Sequence, residues 1–399
     1  MRKISATYIF PGNRPPLKNG ILVCADNGKI IELIDTGGQL KEEAGLEHYS
    51  GILVPGFINA HCHLELSHLK GKIPEKTGMG GFLTAINQLR NEEPEVAEEA
   101  AEKANRQLVA NGTVAVGDVS NSTLTLEKKR HSKIYYHTFA EAFGFHPSRA
   151  ERAFSMANFV KEMCNEFGLG ASVVPHSSYS VSAELFRVIS ENARAENSLL
   201  SVHNQESRTE EQFFSDGSGP IACHLKDNLG IDISHWKPTG KSSLLTTLEF
   251  LPPENQLFLV HNTFTEERDI LDLKQQRKTE NTFFVLCPNS NLFIENALPS
   301  VPLFQKHRLN ICLGTDSLAS NQKLSILAEM ITLQQHFPEI TLEELVLWGT
   351  FNGAKALQVE NRFGSFEPGK QPGVNLITGA DLKKLKLTEQ CQVKLIVRK

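Results

Sequence analysis

Eight times between residues 51 and 316 the sequence gathers an apolar run of strand length, at 51–58, 112–118, 134–139, 170–175, 199–203, 257–261, 282–287 and 309–316. Stretches of helical periodicity fill the intervals, as at 81–90 and 92–110. Eight strands alternating with helices predict an α/β fold, a (β/α)8 TIM-like barrel, in which functional groups gather at the C-terminal ends of the strands. The two flanks read differently. Runs at 6–10, 20–23 and 29–34, and again at 374–377 and 393–397, are β-like, and Pro-Gly, Asn-Gly and Gly-Gly pairs mark turns among the first three. Both ends are therefore expected to build one small β-sandwich domain, from 1–54 and 364–399, around a barrel spanning 55–363.

The strand ends carry the chemistry. In Asn59-Ala60-His61-Cys62-His63-Leu64-Glu65, strand alternation points His61 and His63 to one face and Cys62 to the other. His203, His261 and Asp316 also close apolar runs. A lone His-x-His is weak, and a lone buried histidine is usually bonded to backbone, but several such residues at strand ends converge on one barrel mouth. Three imidazoles and a carboxylate suit zinc or ferrous iron. A catalytic metal leaves one position for water and lowers its pKa to about 7, so the expected nucleophile is metal-bound hydroxide. Glu206, three residues past His203, is placed to move the proton; a carboxylate favoured at a helix N-terminus is the plainer alternative. His261 and Asp316 each read as a ligand or as a group orienting the water, and spacing does not separate these roles.

A formal net charge of −5 and a pI near 6.3 give no global attraction to nucleic acid or anionic membrane. The expected partner is a small soluble molecule. Seven cysteines without a CxxC pair suggest free thiols in a reducing compartment, and neither a signal-peptide core nor an apolar stretch of bilayer length is apparent, so the expected location is the cytoplasm.

Longer motifs tie these residues together: Pro55-Gly56-Phe57-Ile58-Asn59-Ala60-His61-Cys62-His63, Pro175-His176-Ser177-Ser178-Tyr179-Ser180, His203-Asn204-Gln205-Glu206, His261-Asn262, Cys287-Pro288-Asn289-Ser290-Asn291 and Gly314-Thr315-Asp316-Ser317. With them the chain resembles the amidohydrolase superfamily, in its cytosine/adenosine deaminase-like and chlorohydrolase-like branch, over nearly its whole length. The resemblance implies one divalent metal, zinc with ferrous iron as the alternative, at His61, His63, His203 and Asp316. It also implies Glu206 and His261 in proton transfer and water activation, and His176 at the substrate. Glu65 and Ser317 join as candidate substrate contacts. The implied reaction is hydrolytic deamination of an amino-substituted N-heterocycle, an adenine nucleoside derivative, and His61-Cys62-His63-Leu64-Glu65-Leu66-Ser67 is similar to aminodeoxyfutalosine deaminases.

Guanine deaminase or s-triazine hydrolase chemistry is the nearest alternative. A two-metal cyclic-amide hydrolase is disfavoured because 170–181 lacks the lysine that such sites use, and a metal-stabilised binding protein because Glu206 and His261 exceed what a structural site needs. The zinc deaminases with an H-x-E and PCxxC signature are excluded by the missing CxxC. Two segments depart from the family pattern, 292–299 beside the expected pocket and 371–374 in the β domain. The loop-like insertion 206–241 is expected to cover the pocket. The oligomeric state stays open, a homo-oligomer included.

Overall fold

The computed structural model of the chain describes residues 1–41 and 43–397; Glu42 of the first terminal segment, and Arg398 and Lys399 of the last, lie outside the described residues. In chain order the described strands are β1 (Arg2–Ile9), β2 (Leu17–Lys18), β3 (Ile21–Cys24), β4 (Ile30–Ile34), β5 (Leu46–Pro55), β6 (Phe57–His63), β7 (Thr113–Ser120), β8 (Tyr135–Ala142), β9 (Gly170–Pro175), β10 (Leu200–Asn204), β11 (Leu257–His261), β12 (Thr282–Leu286), β13 (Asn310–Leu313), β14 (Asp316–Ser317), β15 (Val374–Thr378) and β16 (Gln392–Val397).

The terminal strands form one mixed sheet in the order β16-β15-β5-β1-β3-β4, with β2 on β1. β1 runs parallel to β5, and β15 closes antiparallel on β5, so the two ends of the chain share one layer. Ile4, Leu22, Leu53, Phe366 and Leu376 pack together beneath it.

The central strands make two parallel sheets, β14-β6-β7-β8-β9 and β10-β11-β12-β13. Their edges meet twice. On one side His203 N donates to His176 O at 3.0 Å, and on the other Thr315 N donates to His61 O at 3.0 Å. Ile58, Ala115, Phe139, Val174, Phe258, Phe283 and Cys312, drawn from strands of both sheets, pack into one buried core cluster. The helices cover the outer faces. In Pro94–Ala110 a proline opens the first turn, and Ala97, Ala101, Ala104 and Leu108 recur at helical spacing on the buried stripe. In Ala183–Glu196, Ser182 Oγ accepts Leu185 N at the start and Asn197 ends the helix in the left-handed region.

The expected first barrel strand is two strands. The run 51–58 breaks at Gly56, so Ile52 to Pro55 complete β5 in the terminal sheet and β6 begins at Phe57. A Cβ at Gly56 would sit 2.3 Å from Val114 Cγ1 and 2.5 Å from Pro372 O, so only glycine lets the chain cross between the sheets. The insertion 206–241 is also more ordered than its composition suggests. It contains the helix Arg208–Asp216, and Phe213 stacks on Trp236 with ring centroids 4.1 Å apart. No helix among the described residues is long and apolar enough to cross a membrane.

Candidate active site

β6 brings His61 and His63 to one face, while Cys62 packs into a separate core with Leu64 and Val116. The register holds because Asn59, two residues earlier, exchanges hydrogen bonds with Thr315: Nδ2 donates to Oγ1 at 2.7 Å and Oδ1 accepts Thr315 N at 3.1 Å. The turn after His63 is fixed by β7, where Asp118 Oδ1 accepts Leu64 N at 2.8 Å. Asp118 is fully buried and paired at 2.6 Å with the equally buried Lys129 Nζ.

Four donor atoms converge. His63 Nε2 lies 3.1 Å from His61 Nε2 and 3.3 Å from His203 Nε2, and Asp316 Oδ1 lies 3.6 Å from His61 Nε2 and 3.5 Å from His63 Nε2. A tetrahedral cation bound at about 2.0–2.2 Å needs its donors about 3.3–3.6 Å apart; three of these four distances fall in that range, and the His61–His63 pair, at 3.1 Å, is slightly closer. Protonation also favours a cation. Burial lowers His61 and His203 and brings His63 down to about 4, so the imidazoles are neutral with lone pairs free. Burial alone would raise Asp316, but the adjoining imidazoles, His61 foremost, hold its carboxyl well below the usual range. The outer atoms are tied: His203 Nδ1 donates to His176 O at 2.7 Å, and Asp316 Oδ2 accepts Ser290 Oγ at 2.7 Å and Ser320 Oγ at 2.5 Å. His61 Nδ1 is buried without a hydrogen-bond partner among the described residues, so that imidazole is oriented by packing and by what its Nε2 faces. These residues fit a divalent metal.

Glu206 and His261 flank the cluster. His261 Nε2 is 3.4 Å from Glu206 Oε1, and both side chains are buried. Burial pushes Glu206 well up, and neighbouring Asp316 and Glu210 add to the shift. Glu210 holds the turn that presents it, accepting Gln205 N at 2.9 Å and Glu206 N at 3.0 Å and bonding Ser178 Oγ. His176, after β9, is partly buried, with its ring 5.0 Å from that of His203. The other two expected contacts are bonded to their neighbours. Glu65 accepts Asn121 N at 3.1 Å and Ser122 Oγ at 2.9 Å, and Ser317 Oγ accepts Ala319 N at 3.2 Å.

Four residues, Glu141, Glu210, Asn291 and Glu329, have no role in the sequence reading. Glu141 closes β8 beside His203, with its Oε1 3.6 Å from His203 Nδ1, and burial raises it to about 8. Together with His176 and His203 it forms a second group of side chains of ligand type. His203 Nδ1 already donates to a carbonyl, however, and has no lone pair left for a second ion. Glu329 joins two loops by accepting Asn289 N at 2.9 Å and Asn321 Nδ2 at 2.8 Å. Asn291 donates to His261 Nδ1 at 3.2 Å. Asn291 lies in a motif already singled out, and Ser207-x-x-Glu210 has capping-box spacing. Nothing local marked Glu141 or Glu329, whose roles depend on distant loops.

A family model described as "Amidohydrolase family" matches residues 52–396. The chain belongs to the amidohydrolase family. Among curated relatives of this amidohydrolase, an aminodeoxyfutalosine deaminase of Nitratiruptor sp. is 28% identical over 363 residues, covering 88% of this chain and 85% of the relative. An adenosine deaminase of Helicobacter pylori is 27% identical over 332 residues, covering 82% and 79%. The crystal structure of Helicobacter pylori aminofutalosine deaminase in complex with methylthio-coformycin shares the fold, with a TM-score of 0.81 at 22% identity over 97% of this chain and 94% of that one.

Proposed function

We propose that this amidohydrolase is a hydrolytic deaminase of an adenine nucleoside derivative, with one zinc ion held by His61, His63, His203 and Asp316. The observation that carries the reading is the buried Glu206 carboxyl 3.4 Å from His261 at the edge of four converging donors. A structural metal site has no use for that pair. The names of the curated relatives, all adenine nucleoside deaminases among those above, support the substrate class.

When bound, the metal supplies the Lewis acidity that activates water near neutral pH. His261 Nε2 orients the attacking water. Glu206, kept protonatable by burial, takes a proton from it and delivers it to the ring nitrogen beside the carbon under attack. The added hydroxyl then gives up its remaining proton, which Glu206 passes to the amino group; the C–N bond breaks, ammonia leaves and the ring carbon keeps the oxygen as a carbonyl, so one water is consumed for each ammonia released. His176 contacts the substrate, while Glu65 and Ser317, engaged by backbone and neighbouring side chains, shape the walls around it.

The two parallel sheets and their bridging hydrogen bonds support one closed (β/α)8 barrel over 55–363, with 1–54 and 364–399 as a small β domain built on the one terminal sheet rather than on the two sheets of the expected β-sandwich. The unpatterned cysteines support a cytoplasmic location. The deciding assay is ammonia release by metal-loaded protein from adenosine, 5′-methylthioadenosine, aminodeoxyfutalosine, guanine and an aminotriazine, beside a metal-stripped control. Metal-dependent release from the adenine nucleosides is expected, and release confined to guanine or the triazine sinks the reading. Glu206→Gln should bind metal normally and lose about 10²–10⁴ in kcat; full turnover would remove Glu206 from the proton path.

A further inference from the structure

Glu329 lies in the helix Ile326–His336 and is fully buried. No cation pairs with it among the described residues, so its burial is costly unless its oxygens are satisfied in another way. Amides satisfy them. Oε2 accepts Asn289 N at 2.9 Å, and Oε1 accepts Asn289 Nδ2 at 2.9 Å and Asn321 Nδ2 at 2.8 Å. A glutamine could not make this set, because its amide nitrogen would meet another donor. Thr332 Oγ1, from the same helix, donates to Asn289 Oδ1 at 2.7 Å and completes the grip on that residue.

Both asparagines adjoin residues that reach the site. Asn289 is followed by Ser290, which donates to Asp316 Oδ2 at 2.7 Å, and by Asn291, which donates to His261 Nδ1 at 3.2 Å. Asn321 follows Ser320, which donates to the same Asp316 oxygen at 2.5 Å, and Asn321 Nδ2 also donates to Thr315 O at 2.8 Å, one residue before Asp316. Both hydroxyls on Asp316 and the amide on His261 are thus at most two residues from an asparagine that Glu329 holds.

We propose that Glu329 is a positioning residue that sets Asp316 and His261 together, holding the turns at 289–291 and 320–321 so that Asp316 Oδ1 faces the three imidazoles and His261 Nε2 faces Glu206. The inference rests on the metal-dependent deaminase reading and adds to it a carboxylate that bonds none of the four donor residues. In a buried network whose members are all engaged, a bond lost at the root is felt at the ends. One amide exchange at Glu329 should therefore disturb a ligand and the water-orienting histidine at once.

The test is Glu329→Gln in full-length protein at about pH 8, where the wild-type carboxyl, raised by burial to about 7, is ionised. In the metal-loaded variant kcat for an adenine nucleoside should fall about tenfold or more, with KM within about twofold of wild type. In cobalt-loaded protein the visible absorption bands, which follow the geometry of the ligand set, should shift or change intensity. Combined with Asn291→Ala, the loss in kcat should fall short of the product of the two single losses by about threefold or more, since both changes act on His261. Wild-type kcat, wild-type cobalt bands or fully multiplying losses overturn the proposal, because a residue that only stabilises the fold lowers Tm and leaves these readings in place. Should Glu329→Gln fail to fold, Thr332→Val removes only the hydroxyl on Asn289 and should lower kcat about threefold with the same change in the cobalt bands; wild-type values there overturn the proposal equally. Absence of ammonia from every adenine nucleoside with wild-type protein would defeat the deaminase reading instead, and the cobalt bands would still decide whether Glu329 places Asp316.

Discussion

His261 stands at φ +74° and Asp316 at φ +55°, in a backbone region that side chains with a Cβ seldom occupy. Gln205 and Asn262, adjoining Glu206 and His261, share it at +48° and +49°. The strain is placed where the chain leaves a strand and must aim a functional side chain across the mouth. It is held by specific bonds, and that at His261 has a chemical consequence. With Asn291 Nδ2 donating to Nδ1, the neutral ring carries its proton on Nε2, the nitrogen that faces Glu206. Asn291→Ala should lower kcat about tenfold with little change in KM, and Asn291→Asp, which favours a proton on Nδ1, should lower it further. Steady-state ammonia release measures both, and wild-type kcat in either variant would separate Asn291 from the tautomer. Asn291 is visible in the sequence as part of a motif, but its partner is 30 residues away and only the fold joins them.

At the scale of elements, the site depends on how closely β13 and β14 pass β6. Gly314 sits at that crossing, where a Cβ would lie 2.9 Å from both the Cβ and the O of His61 and 3.0 Å from Cys287 Sγ. Gly314→Ala should therefore move His61. A cost of about 1–3 kcal/mol in stability is expected from overpacking, with metal affinity about tenfold weaker from the displaced ligand. Thermal unfolding and competition with a chromophoric chelator give the two numbers, and unchanged metal affinity would show that β6 absorbs the methyl. Strand and helix positions were largely readable because period-two and period-3.6 patterns are local. The division of 51–58 into β5 and β6 was not, because both halves are apolar and the break follows from Val114 and Pro372 crowding Gly56. The insertion 206–241 read as a loop for a related reason: its order comes from Phe213, Trp236 and Phe145 meeting across the fold.

The whole molecule buries an unusual set of titratable groups, and their shifts oppose one another with pH. His63 and His137, brought down to about 4 by burial, remain neutral in the folded chain while the unfolded chain protonates them below 6.5; their contribution to stability is lost as pH falls from 6.5 toward 4. Glu141, raised by burial to about 8, and Glu211 and Glu329, raised to about 7, keep protons that the unfolded chain releases above 4.5. Their contribution is present below 4.5 and is lost as pH rises through 7 to 8. The metal-free protein should thus show its highest Tm between about pH 4.5 and 6.5, with Glu329→Gln flattening the alkaline limb. A Tm rising steadily to pH 8 would contradict these protonation states. Metal loading should raise Tm throughout, least at acid pH where protons compete for the imidazoles. By itself the sequence determined the α/β alternation, the family, and the four residues His61, His63, His203 and Asp316 whose donor atoms converge, because strand periodicity and short motifs carry that information within a few residues. The tertiary structure alone decided which carboxylates hold the loops and which nitrogen of His261 faces Glu206, since each is a relation between side chains far apart in the chain.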